Sequence, residues 1–301
     1  MPPPATIEPP EASAATVGDY LSLVRFSHTL FALPVATVAA IMAWRVAPFQ
    51  WLHLAAFLVC MVAARTAAMA FNRLADAEVD AANPRTANRE LPAGTLSRPQ
   101  VIGLIAGSIL VFVVGTLGFW PNPWPLALSP GVLAILLGYS LAKRFTWLCH
   151  HWLGLALGLS PIAAYVAITG TIAPPPVLLG LAILFWVGGF DILYACQDEA
   201  FDREIGLHSV PARFGTPAAF TIARTSHVWT VAMLLWMART DGRSAFFYGG
   251  IVLIAATLVV EHLIVSPDDL KRVGMAFFQM NLLVSFGTLV LYALDLFIMA
   301  F

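Results

Sequence analysis

WLHLAAFLVCMVAARTAAMAFNRLADAEVD, residues 51–80, is the stretch that decides the fold. Its first 21 residues, 51–71, are apolar except for His53, Arg65 and Thr66. That is about the 20 residues a helix needs to cross the hydrocarbon core of a bilayer. The chain then turns polar at once, with Asn72, Asp76 and Asp80 spaced four apart. An apolar run that ends on carboxylates predicts a transmembrane helix whose polar end does chemistry.

The rest of the 301-residue chain reads the same way. It is 59% hydrophobic and 11% charged, against about a quarter charged in a soluble domain. Nine stretches of spanning length run roughly over 24–45, 51–71, 99–120, 126–142, 152–172, 176–194, 217–238, 245–265 and 275–299. In lipid every backbone polar group must be paired within the structure, so apolar runs of this length predict helices. The expected architecture is all-α integral membrane, with a disordered tail over 1–18 and a single transmembrane domain over 19–301. The tail is rich in Pro, Ala and Glu and has no basic segment leading into a short apolar core, so it does not read as a signal peptide. The net charge of −1 gives no general basic surface for nucleic acid, and no protein partner is implied. Cys60, Cys149 and Cys196 lie in or beside apolar runs without close pairing, which argues against a disulfide framework or a CxxC metal site.

Loop charge gives the orientation. Arg73, Arg85, Arg89, Arg98, Lys143, Arg144, Arg203, Arg213, Lys271 and Arg272 follow the even-numbered spans, against Arg45, Arg239 and Arg243 on the other side. Lys and Arg are retained in the cytoplasm, which places the N-terminus and the four basic loops there and the C-terminus outside.

A second acidic cluster follows the sixth span, Asp191-Ile-Leu-Tyr194-Ala-Cys-Gln-Asp198-Glu-Ala-Phe-Asp202. Four-residue spacing stacks side chains on one helix face, so Asn72, Asp76 and Asp80 share a face, as do Asp191, Tyr194, Asp198 and Asp202. Four spans separate the clusters, an even number, so both emerge on one side of the membrane. Each is followed by a related element, Glu90-Leu-Pro-Ala-Gly94 and Ser209-Val-Pro-Ala-Arg-Phe-Gly215, which reads as a degenerate internal repeat. Stacked like charges cost stability unless a cation compensates them. Hard oxygen ligands suit Mg2+, whose coordination is usually completed by water and substrate phosphates, so Asp76, Asp80, Asp198 and Asp202 are the expected metal ligands around a diphosphate. Lys143, Arg144, Arg85, Arg89 and Arg213 lie near the same face, with donors for phosphate oxygens. Arg25 and Arg65 sit deeper, where charge is costly and usually faces a cavity; either could pair with a substrate carboxylate. Cys149, His150 and His151 read as an interfacial loop rather than a metal site, since adjacent histidines point different ways on a helix.

These residues resemble the UbiA superfamily of intramembrane prenyltransferases, whose hallmarks are an N-x-x-x-D-x-x-x-D motif and a later D-x-x-x-D motif on cytosolic loops. Asn72, Asp76 and Asp80 match the first motif and Asp198 and Asp202 the second. Tyr139 and Lys143 look like the family's Y-x-x-x-K element, and Asp191 and Tyr194 precede the second motif as in 4-hydroxybenzoate polyprenyltransferases. The resemblance implies nine transmembrane helices around a central cavity, magnesium dependence, and a lateral opening that leaves a polyprenyl tail in lipid. It also implies a bacterial inner-membrane enzyme of quinone biosynthesis, ubiquinone or menaquinone, with its active site facing the cytoplasm. Its substrates are a polyprenyl diphosphate and an aromatic hydroxy acid, 4-hydroxybenzoate or, through the futalosine route, 1,4-dihydroxy-6-naphthoate. Two departures bear on the acceptor: Arg73 stands where many members place Asp, and Arg25-Phe-Ser-His28-Thr replaces R-x-D-K-P. On this reading Asn72 orients a ligand or water, Lys143 and Arg144 steady the diphosphate, and Asp191 removes the ring proton. A transporter or cation channel is the competing class; it calls for charge along a path at mid-membrane, whereas the acids here gather at span ends.

Overall fold

The structure is a computed structural model that describes residues 16–24 and 29–300. All its elements are helices apart from an isolated bridge between Ser266 and Asp269. A short α1 (Val17–Leu23) is opened by a capping box in which Thr16 and Asp19 bond each other's backbone N–H. Residues 17 and 18, expected as the end of a tail, thus begin a helix, while the rest of that tail before residue 16 lies outside the described residues.

Among the described residues nine of the longer helices overlap, in order, the nine expected spans: α2 (Thr29–Trp44), α3 (Trp51–Ala75), α5 (Arg98–Thr116), α6 (Trp124–Ala142), α7 (Cys149–Thr169), α8 (Pro174–Ala195), α11 (Thr216–Thr240), α12 (Ala245–Ile264) and α13 (Val273–Met299). Three short helices lie between them: α4 (Ala77–Ala82), α9 (Glu199–Glu204) and α10 (Val210–Phe214). Among the described residues seven helices are long and apolar enough to cross a membrane. The other two of the nine differ for separate reasons. The described apolar part of α2 runs only from Ala32 to Trp44. The 25-residue α11 carries Ser226, His227 and Thr230, all buried. Packing against α8 and α12 lets those polar groups meet protein instead of lipid.

The α8 helix is the hub, with α7 and α11 along its flanks and a largely buried apolar surface. From α7 the ring continues through α6 and α3 to α5 on one side, and through α2, α13 and α12 on the other. Gly154 and Gly158 bring α7 against α8: a Cβ at either would collide with the backbone carbonyl of Leu184 or Gly180. Small residues spaced four apart allow such close approach, where dispersion and packing replace the missing hydrophobic drive. Gly158→Val should push the helices apart and cost about 1–3 kcal/mol. Thermal unfolding in detergent would read this as a lowered midpoint, and an unchanged midpoint would contradict the contact.

At the bundle end where α2, α11 and α13 finish and α12 starts, a network of charges ties these helices together. Arg45 pairs with Asp241 at 3.0 Å, the Tyr292 hydroxyl donates to Asp241 at 2.6 Å, and Arg243 bridges Asp241 at 3.0 Å and Asp295 at 3.2 Å. Arg45 and Arg243, counted from the sequence as opposing loop charge, are therefore neutralised by partners.

Candidate active site

At the opposite end the two acidic clusters are built alike. The α3 helix stops at Ala75, Asp76 takes φ −95 and ψ 7, and the six-residue α4 follows with Asp80 in its first turn. After α8, a short turn over Cys196–Asp198 leaves Asp198 at φ −105 and ψ 6, and the six-residue α9 follows with Asp202 in its first turn. Each D-x-x-x-D pair is thus broken at its leading aspartate, Asp76 or Asp198, and Asp80 or Asp202 stands one turn on. Both Pro-Ala elements end at a glycine with positive φ, Gly94 at 73° and Gly215 at 82°, a conformation glycine adopts at little steric cost. The break at the aspartate repeats in backbone, whereas the first Pro-Ala element is a run of turns and the second forms α10.

Both clusters line one polar chamber of about 300 Å³. Each expected metal ligand holds its own cation there. Asp198 meets Arg85 at 2.5 Å, Asp80 meets Arg89 at 2.6 Å, Asp202 meets Lys143 at 2.8 Å, and Asp76 meets Arg144 at 3.5 Å. The first pair crosses between half-sites, since Arg85 comes from the loop after α4 and Asp198 follows α8; Asn83 adds a donor to Asp198 at 3.2 Å. Asn72 donates to Asp76 Oδ2 at 3.0 Å, and Arg144 also donates to the Ala75 carbonyl. Burial and then the nearby Asp80 charge hold the Asp76 carboxyl above its usual range, against the pull of Arg144 and Lys143. Burial would lower Lys143, but the Asp202 charge and hydrogen bond outweigh it and raise it instead.

Deeper in, Asp191 and Tyr194 line the same chamber, and Tyr194 accepts from Arg85 at 3.2 Å while Arg85 lies over its ring at 5.4 Å. The chamber adjoins an apolar one of about 270 Å³ between α3, α6 and α7; Arg65, Met69, Tyr139, Leu153 and Leu157 line both. Arg65 stands at this seam with its Nε buried and unpartnered, and no carboxylate pairs with it among the described residues.

A model of the UbiA prenyltransferase family matches residues 32–283. The chain belongs to that family. It is 30% identical over 227 residues to the 4-hydroxybenzoate octaprenyltransferase of Nitrosomonas eutropha, covering 75% of this chain and 78% of that one. It superposes on the apo structure of a UbiA homolog from Aeropyrum pernix K1 with a TM-score of 0.76 and 28% identity, over 91% of this chain and 98% of the other. A UbiA homolog from Archaeoglobus fulgidus bound to DMAPP and Mg2+ shares the fold, with a TM-score of 0.60 and 20% identity over 90% and 99% of the two chains. The enzyme class expected from the motifs, prenyltransferase, follows from the family and these relatives.

In this UbiA prenyltransferase the residues expected from the sequence are thus brought together: Asn72, Asp76, Asp80, Arg89, Tyr139, Lys143, Arg144, Asp191, Tyr194, Asp198, Asp202 and Arg65 all line the polar chamber. Arg25 lies outside the described residues. Arg213 does not line the chamber; it stacks over Trp147 at 5.8 Å and Phe214 at 5.3 Å. Among the described residues no three His, Cys, Asp or Glu side chains are gathered as a ready metal cage. The donor set nevertheless fits a hard cation. Asp202 Oδ2 is buried without a partner, and Mg2+ needs few protein ligands when phosphates and water complete its shell. Holding a metal there would require the carboxylates to release the basic side chains that now pair with them. Sequence reasoning missed Asn83, whose signal was its place between the acidic cluster and Arg85. It also missed His150, buried at the start of α7 and aimed at Asp191.

Proposed function

We propose that the protein transfers a polyprenyl group from its diphosphate to 4-hydroxybenzoate for quinone biosynthesis, in a magnesium-dependent reaction at the cytoplasmic side of a bacterial inner membrane. The observation that carries this reading is that a chamber of paired charges and an apolar chamber lie side by side and share Arg65 and Tyr139 in their linings. A diphosphate with a hydrocarbon tail has that division of polarity.

Asp76, Asp80, Asp198 and Asp202 would hold the metal. Bound there, magnesium supplies positive charge that offsets charge developing on the leaving diphosphate. Lys143, Arg144, Arg85 and Arg89, freed from their carboxylates, donate to phosphate oxygens, and Asn72 keeps Asp76 aimed. The bond from the allylic carbon to the bridging oxygen breaks with its electron pair leaving on diphosphate. The ring carbon ortho to the hydroxyl forms the new carbon–carbon bond, and Asp191 takes the ring proton. The tail extends along the apolar chamber, away from water. Arg65, at the seam, pairs with the acceptor carboxylate.

The test is to incubate membranes containing the protein with Mg2+, one polyprenyl diphosphate and either 4-hydroxybenzoate or 1,4-dihydroxy-6-naphthoate, and to weigh the lipid product. Prenylated 4-hydroxybenzoate is expected. Product from the naphthoate alone would move the protein to the futalosine route, and no product from either would refute the reading. Arg65→Ala should raise KM for the acceptor about 10- to 100-fold, the worth of a charge-assisted hydrogen bond. An unchanged KM would take Arg65 out of the acceptor site.

A further inference from the structure

His150 is 2% exposed and uses both ring nitrogens. Its Nε2 accepts from the backbone N–H of Val210 at 3.2 Å. A backbone N–H can only donate, so Nε2 carries a lone pair and the ring proton sits on Nδ1. Nδ1 lies 2.7 Å from Asp191 Oδ2, and so donates to it. The donor from Val210 is available for a structural reason. Val210 is the first residue of α10, capped by Ser209, and the leading N–H groups of a helix have no partner inside it. Val210 and Ser209 are both fully buried, so water does not compete for the contact. Three segments therefore fix one tautomer: α7 brings the ring, the second Pro-Ala element locks Nε2, and α8 presents the carboxylate. The Asp191 side chain keeps 26% of its surface exposed and lines the polar chamber.

We propose that His150 is a positioning residue for prenyl transfer: locked by Val210 as the Nδ1–H tautomer, it holds Asp191 Oδ2 and turns Oδ1 toward the acceptor as proton acceptor. The proposal rests on the proposed transfer reaction, in which Asp191 takes the ring proton. It also gives the second Pro-Ala element a task, because Val210 acts on the reaction through one backbone N–H.

Two amide substitutions separate the halves of the contact. Asn places its NH2 near the position of Nδ1, so His150→Asn keeps a donor to Asp191 and abandons Val210. Gln places its carbonyl near Nε2, so His150→Gln keeps an acceptor for Val210 and abandons Asp191. The experiment measures kcat and acceptor KM at saturating donor, with the thermal unfolding midpoint, for the wild type, both His150 variants and Asp191→Asn. His150→Gln should lose about tenfold or more in kcat, part of the 10²–10⁴ that a positioned base supplies, with its midpoint near wild type. His150→Asn should recover most of that rate while melting lower, because the Val210 N–H is left buried and unpaired. A merely structural histidine would lower rate and midpoint together, and that result overturns the proposal. So does wild-type kcat in His150→Gln when Asp191→Asn is inactive. Full activity in Asp191→Asn would instead remove the base from the reaction scheme, and the role of His150 with it.

Discussion

Asp76→Ala combined with Asp198→Ala should lower magnesium-dependent kcat/KM on the order of 10³-fold or more, while the protein still folds. Each substitution removes the leading carboxylate of one half-site, so neither half can compensate for the other. Preorganised charge at a single position is commonly worth about 10²–10³ in rate. The folded state should survive because the orphaned cations are not deeply buried. The Arg85 side chain is 33% exposed and that of Arg144 is 44% exposed, so both can turn to water. A detergent melt close to wild type would confirm this and isolate the loss to the site. Titration of Mg2+ in the presence of pyrophosphate should in parallel lose its saturable phase. Full magnesium-dependent turnover in the double variant would sink the assignment of both clusters.

That experiment probes what the sequence could and could not reveal. The spans and the acidic repeat were legible because each depends on local pattern: apolar length for a helix in lipid, four-residue spacing for a shared face. Even there, a continuous helical face was an approximation, since the backbone breaks at Asp76 and Asp198 and restarts in α4 and α9. The pairing of each aspartate with its own cation was not legible, because it is tertiary. Arg85 and Asp198 are 113 residues apart, and nothing in the neighbourhood of either names the other. His150 was obscured in another way. Taking Cys149-His150-His151 for an interfacial loop set the start of the fifth span at about residue 152, whereas α7 begins at Cys149 and carries His150 against Asp191 and His151 against Ser226. The partners of Arg243 at the far end were not legible from loop charge: Asp241 stands two residues before it, but Asp295 is 52 residues away.

Arg243→Ala should cause the largest loss of stability among the substitutions considered, about 3–5 kcal/mol, through the charge it leaves behind. The Arg243 and Asp295 side chains are both fully buried, 3.2 Å apart, and Arg243 also bridges Asp241 and lies 5.0 Å over the Tyr292 ring. Among the described residues, removing the arginine leaves Asp295 bonded to Ser244 with no positive partner. The turn that joins α11 to α12 would then lose its tie to α13. The unfolding midpoint should fall by about 5–8 °C, taking an unfolding entropy of about 2.1 cal/mol/K per residue. The double variant Arg243→Met with Asp295→Leu should recover much of the loss, because a buried pair replaced by apolar side chains no longer carries its desolvation cost. Catalysis at low temperature should persist in Arg243→Ala. The 25-residue α11 separates this network from the acidic chamber by roughly 37 Å at 1.5 Å per residue. A midpoint within about a degree of wild type would mean that the pair is not a fastener, and a double variant no better than the single would mean that the stability lies in shape rather than charge.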